Sequence, residues 1–406
     1  MSSVYLDWAA TAPPDPEILN SVTAAAMDYF ANPSAIHGAG RRAESLLEHN
    51  RRRLAEILGC RSEEVVFTSG GTESNNLVLS SLLRPSVVGS TGGKAQGVAG
   101  RGRRRIVVSG LEHASVYGPA VALRRFGFEV TIVPAEADGR VDPERISSTV
   151  DEQTSLVALM LVNNETGAIQ PVAEVGRALD ENRRWSGRRA HLHCDAVQAF
   201  GKIPVAPAAL GVDSLSLSAH KIGGPRGVGA LFLRRTSRAE PLYLGGDQEG
   251  GRRPGTENLP GIHGLVLAAE RAHRQLEENL ARAGTLMNRL IRGLESVGGA
   301  VLVPASRDTD GVLFSPYIVN VAFPPVPGEV LVRVLEEEGF LVSTGSACSS
   351  RKKNRFRVHE HMGVAGEVAF SAIRISLGPT VRPEDLDGLV AALKRRLPEL
   401  LRVTAR

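Results

Sequence analysis

The sequence predicts an α/β protein with a mostly parallel sheet flanked by helices, plus a smaller α+β domain. Short apolar runs alternate with helical segments through the first two thirds of the 406-residue chain. After Pro260 the pattern changes to a long helical stretch followed by shorter strands. Alternating strands and helices are typical of a parallel sheet covered on both faces. We therefore predict a large domain over residues 15–259 and a small domain formed by residues 1–14 and 260–406.

The predicted elements follow this division. Strands of the large domain are predicted at 65–68, 106–108, 129–133, 156–162, 191–195 and 215–218, with helices over 73–83 and after His113. In the small domain, the pattern predicts helices within 261–297, over 328–338 and from Pro383, and strands at 300–303, 317–322, 340–343 and 372–376. Ligands of such sheets bind beyond the carboxyl ends of the strands, so the polar residues there are the candidate site.

Composition and charge exclude several classes of protein. The formal net charge is only +4, which does not indicate direct binding to nucleic acid or to an anionic membrane. No apolar stretch is long enough to span a bilayer, and the first residues lack the features of a secretory signal. The three cysteines form no CxxC pair and suit a reducing compartment. We predict a cytoplasmic protein without a metal site.

For three segments the sequence pattern does not indicate a function. The basic runs 51–53 and 103–105 are predicted to be solvated surface. The Gly-, Ser- and Val-rich segment 84–102 has no periodicity and is predicted to be a mobile loop.

A possible anion site follows the strand at 65–68. Gly70 and Gly71 turn the chain into a helix whose first N–H groups have no intrahelical partners, and Thr72 adds a hydroxyl. Alone, this pattern is more often a simple turn and helix cap than an anion site.

Further candidates lie at other strand ends. A buried carboxylate at Asp195 needs a cationic partner, such as a protonated pyridine nitrogen, although an Asp here could also cap the next helix. Lys221 precedes a Gly/Pro loop and, if desolvated, could form a Schiff base; many such lysines are only surface turn residues. Ser218 and His220 could hold a phosphate. Asn164 could contact a ring hydroxyl or a substrate carboxylate.

The order of these segments resembles the class V branch of the fold-type I pyridoxal-phosphate enzymes. It is most similar to the cysteine desulfurases of iron–sulfur cluster and thionucleoside assembly. The resemblance covers nearly the whole chain and includes the segments 5–11, 32–37, 68–76, 193–198, 255–256, 343–348 and 373–378.

The resemblance implies a set of site residues. Lys221 would bind pyridoxal 5'-phosphate covalently, His113 would stack on its ring and move protons, and Asp195 would pair with the ring nitrogen. The remaining implied contacts are the phosphate ligands Gly71, Thr72, Ser218 and His220, the ring contacts Gln198 and Asn164, the carboxylate clamp Arg374, and Thr256, which would reach the partner subunit's phosphate in a homodimer.

Cys348 is the candidate sulfur carrier. It lies among small, flexible residues, and the basic residues after it could lower its pKa, so both access and thiolate character are favoured. The alternative, a small buried apolar residue, fits Cys60 and Cys194 better. By resemblance, L-cysteine would give L-alanine and a persulfide on Cys348. A protein acceptor, such as an iron–sulfur scaffold or a tRNA-thiolation protein, would then take the sulfur.

Other functions remain open from the sequence. A selenocysteine lyase or a class V aminotransferase would use the same cofactor chemistry, and an aminotransferase would not need Cys348. A non-catalytic sulfur-assembly scaffold would keep only the fold. The basic run 351–357 could dock an acidic acceptor or be a solvated face.

Overall fold

The computed structural model describes residues 3–83, 104–186, 189–237, 239–307, 312–345 and 356–404. The predicted loop at 84–102 lies outside these ranges, as does Cys348. The strands are β1 Val4–Tyr5, β2 Val65–Thr68, β3 Arg105–Ser109, β4 Glu129–Val133, β5 Thr154–Ala158, β6 His191–Asp195, β7 Ser214–Ser218, β8 Gly229–Leu233, β9 Val301–Val303, β10 Ile318–Ala322, β11 Phe340–Leu341 and β12 Ala372–Ser376.

Helices lie between and after these strands. They are α1 Pro16–Asp28, α2 Gly38–Leu58, α3 Gly71–Ser80, α4 Ala114–Leu123, α5 Pro143–Thr149, α6 Val172–Ser186, α7 Pro207–Leu210, α8 Leu259–Arg274, α9 Leu276–Glu295, α10 Gly328–Glu337, α11 Arg357–His361, α12 Gly366–Ser371 and α13 Pro383–Thr404.

The main sheet has seven strands in the order β2-β8-β7-β6-β5-β3-β4. Strands β7, β6, β5, β3 and β4 are mutually parallel, which confirms the predicted fold class. Alternate residues face opposite sides of this sheet: Val65 and Phe67 pack with α2, α6 and α8, whereas Val66 packs with α3 and α4. Both faces are therefore buried, as a parallel sheet with crossover helices requires.

Strand β8 was not predicted, and it is antiparallel to both of its neighbours, β2 and β7. The connection from β7 to β8 is short and contains no α-helix, so it cannot form the crossover that a parallel pair needs. Gly229 pairs with Thr68 on one side and with Ser218 on the other. A Cβ at Gly229 would lie 2.6 Å from the Gly70 Cα, so only glycine lets the β2–α3 turn pass here.

The predicted strand at 156–162 is shorter than expected. Strand β5 ends at Ala158, although Leu159 and Leu161 still donate backbone hydrogen bonds to His193 and Asp195. Between them, the Met160 N–H donates to the Glu112 carboxylate instead of to the sheet.

The smaller sheet has the order β12-β10-β9 and is antiparallel. Its core includes side chains from α9, α10 and α13, and also Leu6, Trp8 and Ala12 from the N-terminal segment. Strand β1 pairs with β11, and the Ser376 N–H donates to the Leu6 carbonyl. The N-terminal segment thus packs with the C-terminal third of the chain. The domain boundaries themselves stay a prediction.

The basic run at 51–53 is not simple solvated surface, because Arg51 is largely buried. Its guanidinium donates to both Glu249 carboxylate oxygens, at 2.7 and 2.8 Å, and lies 4.9 Å from the centre of the Phe67 ring. Glu249 also accepts the Phe67 N–H at 2.8 Å, which ties its loop to β2. A two-pronged arginine–carboxylate pair of this kind is both strong and directional.

We expect Glu249→Gln to lower the free energy of unfolding by about 3 kcal/mol, because it removes the buried partner of Arg51 and leaves only the half-exposed Glu48 carboxylate paired with it. Urea denaturation followed by circular dichroism measures this value. The matched control is Glu56→Gln, which breaks an exposed arginine pair and should cost at most about 1 kcal/mol. Equal losses in the free energy of unfolding for the two substitutions would show that the buried Arg51–Glu249 pair stabilises the fold no more than an exposed pair does.

Candidate active site

A cavity of about 810 Å³ opens at the carboxyl ends of the parallel strands. This is the edge at which ligands of open α/β sheets bind. The cavity wall includes most of the residues that the sequence singled out: Gly71, Thr72, His113, Asn164, Asp195, Gln198, Ser218, His220, Lys221 and Arg374. Thr256 is exposed and does not line the cavity. Cys348 lies outside the described residues, but Gly345, just before its segment, is part of the wall.

Lys221 follows β7 in a short 3₁₀ turn and is half-buried. Its Nζ donates to the carbonyls of Ala9 and Ala10, each at 2.7 Å. The N-terminal segment therefore sets the position of the lysine ammonium group in the cavity.

Asp195 ends β6 and is almost completely buried, with 5% of its surface exposed. Its Oδ2 accepts from Asn75 Nδ2 at 2.8 Å, and its Oδ1 accepts from the Val197 N–H at 3.0 Å. Both donors are neutral, so they do not balance the charge of the carboxylate. Because Asp195 lines the cavity, a cationic ligand there could do so.

His113 is the residue before α4, and its Nδ1 accepts from the Ser115 N–H at 3.2 Å. Burial lowers the pKa of His113, the positive charges of Lys221 and Arg357 act in the same direction, and Asp195 opposes them. The imidazole is therefore held neutral at the cavity wall.

One end of the cavity lies where α3 begins. Gly71 and Thr72 line the cavity at the N-terminus of this helix, where N–H groups and the helix dipole favour a negative charge. A Cβ at Gly70 would lie 3.6 Å from Ser218 Oγ, which places the serine hydroxyl beside the turn. His220 Nδ1 contacts Thr11 Oγ1 at 3.1 Å, and burial lowers the pKa of His220 to about 4.

Gln198 is held from both ends of its amide. Its Nε2 donates to the Ala9 carbonyl at 2.8 Å, and its Oε1 accepts from Lys202 Nζ at 3.1 Å. Burial lowers the pKa of Lys202 to about 7, with Lys221 and Arg374 adding repulsion. No sequence pattern indicates Lys202, because the burial of a single lysine beneath the site depends on tertiary packing.

We expect the stability of the protein to depend on pH through Lys202. Its pKa is lower in the fold than in the unfolded chain, so the unfolded chain binds more protons between pH 7 and about pH 10, and stability rises with pH in that range. Lys202→Met should remove this slope, whereas Lys394→Met, at an exposed position, should keep it. Urea denaturation at a series of pH values measures both; an unchanged slope in Lys202→Met would contradict the assignment.

Arg374 lies on β12 and is 3% exposed. Its Nη1 donates to the Asn164 carbonyl at 2.8 Å, and its Nη2 donates to Asp7 Oδ1 at 2.7 Å. Within the described part of the chain its Nε–H has no acceptor. Asn164 and Asp7 thus hold the guanidinium of Arg374 at the cavity wall.

Arg357 corrects the interpretation of the basic run 351–357 as a solvated face. It lines the cavity, donates to the carbonyls of Gly110 and Glu112, and lies 4.2 Å from the centre of the Tyr117 ring. The other basic residues of the run, 351–353 and Arg355, lie outside the described residues. No sequence signal separates Arg357 from them, because only the start of α11 directs it inward.

Glu165 is a second cavity residue that the sequence did not identify. It is buried, and burial raises its pKa to about 7, although Arg374 and Arg357 oppose this rise. A Cβ at Gly345 would lie 3.5 Å from Glu165 Oε2, so this carboxyl group borders the start of the Cys348 segment.

These residues fit pyridoxal phosphate. The cavity offers a lysine, a buried carboxylate for the ring nitrogen, an imidazole, and a helix N-terminus for the phosphate. Among the described residues, no group of His, Cys, Asp and Glu side chains is arranged to hold a metal ion. No helix in the described ranges is both long and apolar enough to cross a bilayer.

Comparison with known proteins gives the same assignment. The class-V aminotransferase family matches residues 4–389. A cysteine desulfurase IscS of Dictyoglomus turgidum is 37% identical over 397 residues, which cover 98% of this chain and 95% of that protein. A solved NifS-like protein superposes with a TM-score of 0.86 at 34% identity, covering 98% of this chain and 100% of that one. The structure of SspA in complex with cysteine superposes with a TM-score of 0.73 at 30% identity, covering 92% of this chain and 99% of that one.

The family match extends over strands β1 to β12 and over every cavity residue named above. The predicted family is therefore confirmed, and the chain belongs to the class-V aminotransferase family.

Proposed function

We propose that this protein converts L-cysteine to L-alanine and holds the released sulfur as a persulfide on Cys348. It is a pyridoxal-phosphate-dependent cysteine desulfurase, the activity for which relatives of 35% and 37% identity are named. The observation that carries the proposal is the position of Gly345. It lines the cavity that holds Lys221, and it lies immediately before the segment that bears Cys348.

The residues divide the chemistry among them. Pyridoxal phosphate, when bound, supplies an electron sink that weakens bonds at the substrate's α- and β-carbons. Lys221 would hold the cofactor and move the α-proton, Asp195 would pair with the ring nitrogen, and Gln198 and Asn164 would contact ring substituents. The phosphate would lie against Gly71, Thr72, Ser218 and His220. Arg374, which lines the cavity, would bind the cysteine carboxylate, which suits a planar arginine fork.

The sulfur step balances without an external oxidant. The thiolate of Cys348 attacks the sulfur of the bound cysteine, an S–S bond forms, and the Cβ–S bond breaks. The electron pair of that bond and a proton remain with the three-carbon product, which leaves as alanine. An acceptor protein, such as an iron–sulfur scaffold or a tRNA-thiolation protein, then takes the outer sulfur by thiol exchange.

We further propose a cytoplasmic homodimer. Thr256 is exposed and lies outside the cavity of its own chain, which is consistent with a contact to the phosphate of the partner subunit. Sedimentation of the purified protein tests the dimer, and a monomer with full activity would contradict this role of Thr256.

The purified protein, incubated with L-cysteine, tests the proposed reaction. We expect alanine in the solution and one added sulfur atom on the peptide that contains Cys348, as measured by mass spectrometry. Selenocysteine as the only productive substrate would identify a selenocysteine lyase, and amino transfer to a keto acid would identify an aminotransferase. If added pyridoxal phosphate gives no visible absorption band, the chain is a non-catalytic scaffold and the proposal fails.

A further inference from the structure

A row of buried polar side chains that the reaction described above does not use leads from the cavity wall into the sheet. Asn75, on α3, joins Asp195 to His193, and His193 is joined through Ser214 to His191. The distances are 2.8 Å from Asn75 Nδ2 to Asp195 Oδ2 and 2.9 Å from Asn75 Oδ1 to His193 Nε2. Ser214 Oγ lies 2.8 Å from His193 Nδ1 and 2.7 Å from His191 Nε2. All these residues are buried.

The same asparagine also reaches His113. Asn75 Nδ2 lies 2.8 Å from Ser115 Oγ, which lies 2.7 Å from His113 Nδ1. The row therefore joins the two residues expected to contact the cofactor ring, Asp195 and His113, to a set of side chains deep in the sheet. We call the row of His191, Ser214, His193, Asn75 and Ser115 the polar chain.

Two groups of known role fix the proton positions. The Ser115 N–H can only donate, so His113 Nδ1 accepts, and the Ser115 hydroxyl must donate to the same nitrogen. An ionised Asp195 can only accept, so the Asn75 nitrogen must face it and the Asn75 oxygen must face His193. His193 Nε2 therefore carries a hydrogen.

The remaining positions follow from neutrality. Burial lowers the pKa of His193 to about 3 and that of His191 to about 4, so both rings are neutral. With its hydrogen on Nε2, His193 accepts at Nδ1 from the Ser214 hydroxyl. Ser214 has then used its hydrogen and accepts from His191 Nε2. Every donor in the polar chain points in one direction, from His191 toward Asp195 and His113.

We infer that Asn75 and His193 are positioning residues, which fix the direction of the Asp195 carboxylate and the tautomer of His113 for the reaction. This inference rests on the proposed function. His193 prevents the Asn75 amide from rotating, and the rotated amide would present an oxygen to a carboxylate. The polar chain also keeps the hydrogen of neutral His113 on Nε2. With that hydrogen in place, Nε2 cannot accept a proton, so the α-proton is removed by Lys221. Hydrogen-bonded networks of this kind are costly when one member is lost.

Nitrogen NMR of the enzyme labelled with ¹⁵N-histidine tests the proton positions without any turnover. We expect His113, His191 and His193 all to be neutral at pH 7 with the hydrogen on Nε2. Ser214→Ala should shift the Nδ1 signal of His193, since that nitrogen loses its donor. Ser216→Ala is the matched control on the same strand and face; the hydroxyl of Ser216 is buried and has no partner among the described residues, so its loss should leave the signal in place. A hydrogen on Nδ1 of any of the three rings, or equal shifts in both variants, would overturn the inference.

Kinetics of two substitutions at His193 test the positioning role. His193→Leu should lower kcat about tenfold, because Asn75 Oδ1 is left buried without a donor, while KM for cysteine changes less than about twofold. His193→Gln can place an N–H near the position of Nε2 and should recover kcat to within about threefold of the wild type. Equal kcat values in wild type and His193→Leu would contradict the role. A wild type that forms no alanine but shows the expected NMR signals would instead contradict the proposed function and leave the polar chain intact.

Discussion

Lys221→Arg should reduce alanine formation from cysteine by at least about 10³-fold, within the range that positioned proton-transfer groups contribute. The substitution keeps the positive charge, and a guanidinium can still donate to the carbonyls of Ala9 and Ala10 that hold Lys221 Nζ. What it removes is the ability to lose a proton, since arginine stays protonated in proteins. Covalent binding of the cofactor and removal of the α-proton both need the free amine.

Two measurements separate this effect from a loss of fold. The visible spectrum should lack the band of covalently bound cofactor, whereas the far-ultraviolet circular dichroism should stay unchanged. Lys394→Arg, at an exposed position on α13, is the matched control and should keep full activity. More than a tenth of wild-type activity in Lys221→Arg would show that another residue carries this role.

Cys348→Ala should abolish sulfur transfer, with a fall in sulfide production of at least about 100-fold in the presence of a thiol reductant, as expected when a positioned reactant is lost. The expected controls are Cys60→Ala and Cys194→Ala, which should keep full activity. Burial raises the pKa of Cys60 to about 12, and burial also raises that of Cys194, so neither forms a thiolate at neutral pH.

Mass spectrometry gives a second measurement of the same point. The wild type and both control variants should gain sulfur on Cys348, and Cys348→Ala should gain none. If Cys348→Ala still releases sulfide at the wild-type rate, sulfur does not pass through this residue. Spectral changes on adding cysteine should persist in Cys348→Ala, because Arg374 and Lys221 are intact.

Most of the fold could be predicted from local patterns. The strands at 65–68, 129–133, 191–195 and 372–376 have the predicted bounds. Strand β8 was missed although its residues are equally apolar. Its place in the sheet depends on pairing with β2, which is distant in sequence, and local pattern carries no information about that pairing.

Some residues of the candidate site could be predicted from local sequence, and others could not. Residues at strand ends, such as Asp195 and Lys221, could be identified because the chain itself marks those positions. Asn75 could have been suspected, since a buried asparagine inside a helix must satisfy its amide elsewhere. Lys202 and Arg357 could not, because their position in the site depends on the packing of elements that are far apart in sequence.

The N-terminal segment can form its contacts only late in the synthesis of the protein. Its carbonyls at Ala9 and Ala10 hold Lys221, and its own partners are β11 and Ser376, near the other end of the chain. This segment is therefore synthesised well before β11 and Ser376, and it can reach its final position only after they have been made. Contacts between residues that are far apart in sequence slow folding. A nascent chain that stops before residue 340 contains every strand of the seven-stranded sheet but lacks β11, the partner of β1. Its Ala9 and Ala10 carbonyls should therefore not hold Lys221 in position, and we expect a compact chain that does not retain the cofactor.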